Sequence, residues 1–180
     1  LTLADWTKIL GYDGYYCQVD PDDPDTVYAE GQYGILHRIN VRTWESRFIK
    51  PRLSDKTGTT NIAPPPAKDF PALRFNWSSP LLLSAHEPKT VYYGANHVLR
   101  SANRGETWTI LSPDLTNGKP GPSPYSGHTI STLAESPRTK GLLYAGTDDG
   151  RVHATQNDGK TWADLSGKVP DLPPGRWISR

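Results

Sequence analysis

Apolar residues in this chain fall in short runs separated by polar turns, and the runs recur in sets. Three stretches align: YYCQVDPDDPDTVYAEGQYGILHRI (15–39), LLLSAHEPKTVYYGANHVLRS (81–101) and STLAESPRTKGLLYAGTDDGRVHAT (131–155). Each opens on a short apolar strand and a turn containing proline. A second strand follows (TVYAE, TVYYG or LLYAG), then a glycine-bearing or polar turn and a third strand, ILHRI, HVLRS or RVHAT. A further turn leads to a fourth strand opened by Thr-Trp: TWESRFI from Thr43, TWTIL from Thr107 and TWADL from Thr161. Aromatic and β-branched runs bounded by Gly, Pro, Asn and Asp are strand signals. DWTKIL, from Asp5, reads as another fourth strand without its predecessors. Trp177-Ile178-Ser179-Arg180 reads as the start of a first strand.

The tryptophans mark the period. Trp6, Trp44, Trp108 and Trp162 lie 38, 64 and 54 residues apart. Four-stranded units repeating every ~40 to 55 residues are the mark of propeller blades. The expected fold is therefore all-β: a partial β-propeller of about three four-stranded antiparallel blades, plus strands of the flanking blades. The expected division is 1–10, the last strand of a preceding blade; 11–50, a blade; 51–73, a proline-rich insertion that cannot be a strand; and 74–112, a blade. A loop at 113–127, a blade at 128–167 and the start of the next blade at 168–180 complete it. Three blades do not close a ring, so the expected partners are further blades, from the same protein or from another copy.

Two turns carry the strongest local signal. SANRGETW (101–108) and TQNDGKTW (155–162) share the template Ser/Thr-x-Asn-x-Gly-x-Thr-Trp. Glycine sits where a tight turn needs positive φ, and Asn can bond its own backbone. This pattern resembles the Asp-box, or BNR, repeat of sialidases, family 74 xyloglucan hydrolases, photosystem II assembly-factor propellers and sortilin (VPS10) ectodomains. Ser101, Gly105, Thr107 and Trp108 match it, as do Thr155, Gly159, Thr161 and Trp162; Asn103 and Asn157 replace the usual Asp. The first blade keeps only Thr43-Trp44. TVYYGANHVLRSANRGETWTILSPDLT and LLYAGTDDGRVHATQNDGKTW look most like large bacterial proteins with sortilin-like, glycosyl-hydrolase-like propellers. The resemblance implies that the box is a structural turn away from the active face, and it implies a secreted or periplasmic location.

If strands alternate in direction, the fourth-to-first and second-to-third loops share one face, opposite the boxes. That face collects the binding candidates Tyr12, Tyr33, Arg74, Trp77, His97, His128 and Trp177, together with both long loops. Aromatic rings, an arginine and amides beside a groove suit a glycan or a protein segment. Hydrolysis of a glycan needs two carboxyl groups ~5 to 10 Å apart. Asp13 in GYDG and Asp149 in TDDG reach the shared face, with Glu30 near it, but a hairpin residue and a loop cap explain the two aspartates more simply. No sialidase-like arginine triad is present: Arg74, Arg151 and Arg176 lack matching context. The expectation is a non-catalytic binding or scaffolding segment. The alternatives are part of a glycoside hydrolase or an accessory subunit of a larger complex.

Composition narrows this a little. The formal charge of +1 over 180 residues argues against nucleic acid. No apolar run is long enough to span a membrane. Cys17 is the single cysteine, so no internal disulfide forms, and it reads as a small buried residue. Asp20, Asp22, Asp23 and Asp25 in DPDDPD suit calcium in composition, but read more simply as a solvated turn. The five histidines show no paired ligand spacing, so neither metal nor cofactor is expected. Arg47, Lys50, Arg52 and Lys56 read as a solvated basic edge. There is no methionine, even at position 1, and the chain reads as a piece of a longer protein with no signal peptide of its own.

Overall fold

The computed structural model describes residue 2 and residues 6–54, 59–118, 127–173 and 175–179. Asp5, Lys56, Arg180, and parts of the insertion and of the second long loop lie outside the described residues. Three four-stranded antiparallel sheets follow one another along the chain. The first holds β1 (Gly14–Val19), β2 (Thr26–Gly31), β3 (Ile35–Asn40) and β4 (Ser46–Phe48). The second holds β5 (Leu81–Leu83), β6 (Val91–Gly94), β7 (Val98–Ser101) and β8 (Thr109–Ile110). The third holds β9 (Ile130–Glu135), β10 (Leu143–Thr147), β11 (Val152–Thr155) and β12 (Ala163–Asp164). Strand order in each is sequential, the meander of a propeller blade.

The core lies between sheets. Residues alternate across each strand, so one face of β2 sends Tyr28 into the first interface, and the matching face of β6 sends Tyr92 into the second. The first interface gathers Tyr28, Leu36 and Ile49 against Leu81, Val91, Tyr93, Leu99 and Trp108. The second gathers Tyr92, Val98 and Leu115 against Ile130, Leu143 and Ala145, with Trp162 packed on the edge. The middle sheet is thus covered on both faces, and the third leaves the Tyr144 face open. Tyr28 and Tyr92 are 0% and 2% exposed, while their counterpart on β10, Tyr144, is 42% exposed.

The two boxes fold alike. The hydroxyl of Ser101 accepts the Gly105 N–H at 2.8 Å, and Asn103 Oδ1 accepts the Thr107 N–H at 2.9 Å. Thr155 and Asn157 do the same for Gly159 at 3.0 Å and Thr161 at 2.9 Å. The residues before the glycines, Arg104 and Asp158, are left-handed, as are the glycines. Each box also reaches the sheet before it. The Trp108 indole donates to Ile49 O at 2.8 Å, and the Trp162 indole to Leu111 O at 3.2 Å. A Cβ on Gly105 would stand 2.5 Å from Ile49 Cδ1, and one on Gly159 would stand 2.3 Å from Leu111 Cγ. Glycine is needed there for the turn and for the close approach. The box is a clamp between successive sheets.

Four expectations are corrected. Trp44 does not start a strand: it is left-handed and 52% exposed, and β4 begins at Ser46. Without the box's glycine turn before it, Thr43-Trp44 closes a tight turn on Asn40 instead, with the Trp44 N–H bonded to Asn40 O. Cys17 is exposed, because it lies on β1, the edge strand of the first sheet. Residues 6–10 form no strand, and no described strand pairs with them. Asp20 is buried rather than solvated: Arg104 from the next box donates to it at 2.8 Å and the Tyr28 hydroxyl at 3.1 Å.

Candidate functional site

The turns between second and third strands meet the connections that lead into the next sheet. Tyr33 N–H donates to Trp77 O, and their rings meet edge to face at 4.8 Å. Lys50 Nζ donates to Tyr33 O at 2.8 Å and stands 4.5 Å over the Phe75 ring. Tyr33 itself is left-handed, which turns its half-buried ring toward Trp77. One sheet further on, Asn96 Oδ1 accepts the Arg74 N–H at 2.9 Å, and Asn96 Nδ2 donates to Asp114 at 2.9 Å. Beyond that, Asp148 accepts Thr129 N–H and hydroxyl, both at 2.8 Å, and Asn76 Nδ2 at 3.2 Å.

Arg74 ties this face together. Its guanidinium donates to Gly127 O at 3.0 Å, Asp114 Oδ2 at 2.9 Å, Thr116 Oγ1 at 2.9 Å and His128 O at 3.3 Å. Burial alone would raise the Asp114 carboxyl, but hydrogen bonds from Thr116, Asn96 and Arg74 outweigh it and hold it at about 2. A charge-assisted network of this kind fixes the loop on either side of it. Arg74 therefore holds the long loop against the insertion, with its Nε and Nη2 donors spent inside the protein.

The other candidates separate. His97 is 6% exposed, bonded through Nδ1 to Ser112 O at 3.0 Å and packed on Phe70; burial lowers its pKa. His128 bonds Asn117 through Nδ1, and Asp149 lies 3.8 Å away. Asp149 accepts Asn117 N–H at 2.8 Å and the Thr147 hydroxyl. Tyr12 is 49% exposed beside His37, and Trp177 is 54% exposed at the far end. Asp13 offers its N–H to Gln32 at 3.1 Å. Asp13 belongs to the first sheet and Asp149 to the third, with the second sheet between them. Of the predicted set the fold brings together Arg74 with the His128 carbonyl, inside the loop network, and the aromatic shelf of Tyr33 and Trp77.

Glu30 had little signal in the sequence beyond its nearness to this face. It is 1% exposed; Oε1 accepts the Ser79 N–H at 3.1 Å, and Oε2 has no hydrogen-bond partner. Burial pushes its carboxyl up to about 8, against the pull of the Ser79 and Tyr16 backbone. It is sealed between two sheets, so it is a core acid and not one that meets solvent or ligand. Among the described residues, no set of three His, Cys, Asp or Glu side chains is placed to hold a metal ion. No described helix is long and apolar enough to cross a membrane.

No protein-family model matches the chain, and no curated protein matches it. Solved structures do. A GH74 enzyme of Niastella koreensis is similar with TM-score 0.53 and 14% identity, over 89% of this chain and 23% of that one. The extracellular domain of BT4673, a one-component system of B. thetaiotaomicron, is similar with TM-score 0.53 and 17% identity, over 92% of this chain and 18% of that one. YCF48 of Cyanidioschyzon merolae follows with TM-score 0.47 and 14% identity, over 87% of this chain and 38% of that one. The chain thus spans well under half the length of each. The three sheets and the two neighbours at TM-score 0.53 define the class: this is a partial β-propeller.

Proposed function

We propose that the chain is a non-catalytic binding or scaffolding segment of a larger, exported Asp-box propeller protein, and that it recognises a glycan or protein segment through the loop face. The observation that carries this is the state of the carboxylates there. Asp114, Asp148 and Asp149 each accept hydrogen bonds from the loops on both carboxylate oxygens, and Asp13 is divided from Asp149 by a whole sheet. What the face offers a ligand is the Tyr33–Trp77 shelf with Tyr12 and Trp177 exposed at either end. Stacking on such rings suits the apolar faces of sugars and the side chains of extended peptides. The GH74 likeness supports the scaffold and no more, since the activity in that name is that protein's own.

Binding of xyloglucan oligosaccharides and of a random peptide library to the chain tests the proposal. Trp77→Ala and Tyr33→Ala should each weaken binding with the secondary structure unchanged. Hydrolysis of a glycan by the protein that carries this segment, abolished by Asp13→Ala or Asp149→Ala, would overturn it in favour of a glycoside hydrolase. Recovery at fixed stoichiometry with another protein would favour an accessory subunit.

A further inference from the structure

The open face of the third sheet carries the same socket as the two filled interfaces, with its charges removed. In both filled interfaces a tyrosine on the second strand faces an arginine on the third: Tyr28 with Arg38, and Tyr92 with Arg100. The next box answers each arginine. Arg38 donates to Arg104 O and Glu106, and Arg100 donates to Asp158, each with at least one contact at 2.8 or 2.9 Å. The residue after the fourth strand then receives the box: Ile49 takes Gly105 and Trp108, and Leu111 takes Gly159 and Trp162. In the third sheet the matching positions are Tyr144, Ala154 and Leu165. They line an open cleft of ≈ 410 Å³ with Leu142, Ala163 and Thr161. The arginine has become alanine.

A second observation says what belongs there. Ile130, which starts the third sheet, donates its N–H to Ala95 O at 2.7 Å and rests on Gly94. Ile178 donates its N–H to Thr147 O at 3.0 Å and rests on Gly146, the matching glycine of β10. So Ile178 sits on the third sheet as Ile130 sits on the second.

We propose that this face is the docking socket for a fourth blade that begins at Ile178 and carries an Asp-box turn whose residue before the glycine is uncharged. The box glycine packs on Leu165, and the box indole donates to Leu165 O, which takes the Lys168 N–H and has a second lone pair. An aspartate before the glycine would meet Ala154 where Asp158 meets Arg100, and an arginine would meet Ser136 where Arg104 meets Asp20, so neither charge finds its partner. A second copy of this chain is the poorer occupant. Its first sheet has no box glycine, and its Trp44 stands in a different turn. The inference rests on the propeller reading and not on any ligand at the loop face, so loss of ligand binding leaves its test untouched.

The equivalence of Ile178 with Ile130 sets the test. Residues 132–173 are appended after Ser179 with Asp158→Asn, every appended copy also carrying Tyr144→Phe so that the original Tyr144 alone is read, and tyrosine nitration is mapped by mass spectrometry. Tyr144 should fall from the reactivity of exposed Tyr15 to that of buried Tyr28 and Tyr92. An appended copy carrying Gly159→Val and Trp162→Ser should restore its reactivity. An appended copy retaining Asp158 should protect Tyr144 less than the Asn version. Equal Tyr144 reactivity in the intact and broken fusions would overturn the proposal. So would sedimentation of the unextended chain as a dimer with Tyr144 protected, which would make a second copy the occupant.

Discussion

Glu30→Gln isolates one buried charge. Gln keeps the shape and the acceptor for Ser79 N–H but cannot ionise. In the unfolded chain the Glu30 carboxyl titrates near 4.5; in the fold it titrates at about 8. Its folded pKa is the higher one, so between these values the fold binds a proton that the unfolded chain releases. Stability from this group is complete below pH 4.5, falls as pH rises through the window, and is lost by about pH 8. At 1.36 kcal/mol per pH unit, the rise from 4.5 to about 8 amounts to at most ~5 kcal/mol. Relaxation and water entry around the charge bring the expected difference to roughly 2–4 kcal/mol. Urea unfolding of both proteins between pH 4 and pH 9 measures it. The two should match near pH 4, and the variant should be increasingly the more stable as pH rises, because every other titrating group is shared. Parallel curves, or a variant less stable at alkaline pH, would refute the burial of an unpaired carboxyl between the first two sheets.

Two further outcomes follow from the clamps. Gly105→Ala places a methyl 2.5 Å from Ile49 Cδ1 at φ +87°, and should cost ~2–4 kcal/mol in urea unfolding. Gly118→Ala, at φ +74° with open space around it, should cost only the ~1 kcal/mol of the left-handed backbone. Arg100 and Asp158 are bonded across the second interface at 2.9 Å, and a double-mutant cycle to alanine should give ~0.5–1.5 kcal/mol of coupling that shrinks in high salt. Zero coupling would mean that the box of the third sheet does not reach the second.

What the sequence made legible is what short-range chemistry decides. The box turns close on their own Ser or Thr, Asn and Gly within a few residues, so SANRGETW and TQNDGKTW announce themselves. The repeated strands read out for the same reason. What crosses between sheets was hidden. Asp20 and Arg104 are 84 positions apart, and DPDDPD alone reads as a wet turn. Arg74 looked like a ligand-binding group because its partners, Asp114 and His128 O, are 40 and 54 positions away. Glu30 ends the run TVYAE near the loop face; its burial depends on Ser79, which arrives from the connection into the next sheet. Trp44 shares its Thr-Trp with the boxes, yet indole burial depends on the glycine turn before it and on a sheet behind it.

The central claim is that each box tryptophan clamps its sheet to the one before. Hydrogen exchange at the indole Nε1–H groups, followed by NMR, tests it most directly. Trp108, 1% exposed and bonded to Ile49 O, should exchange slowest, with Trp162 next. Trp6, Trp44 and Trp177, at 71%, 52% and 54% exposure, should exchange at the rate of a free indole. Exchange of Trp108 as fast as that of Trp44 would contradict the clamp.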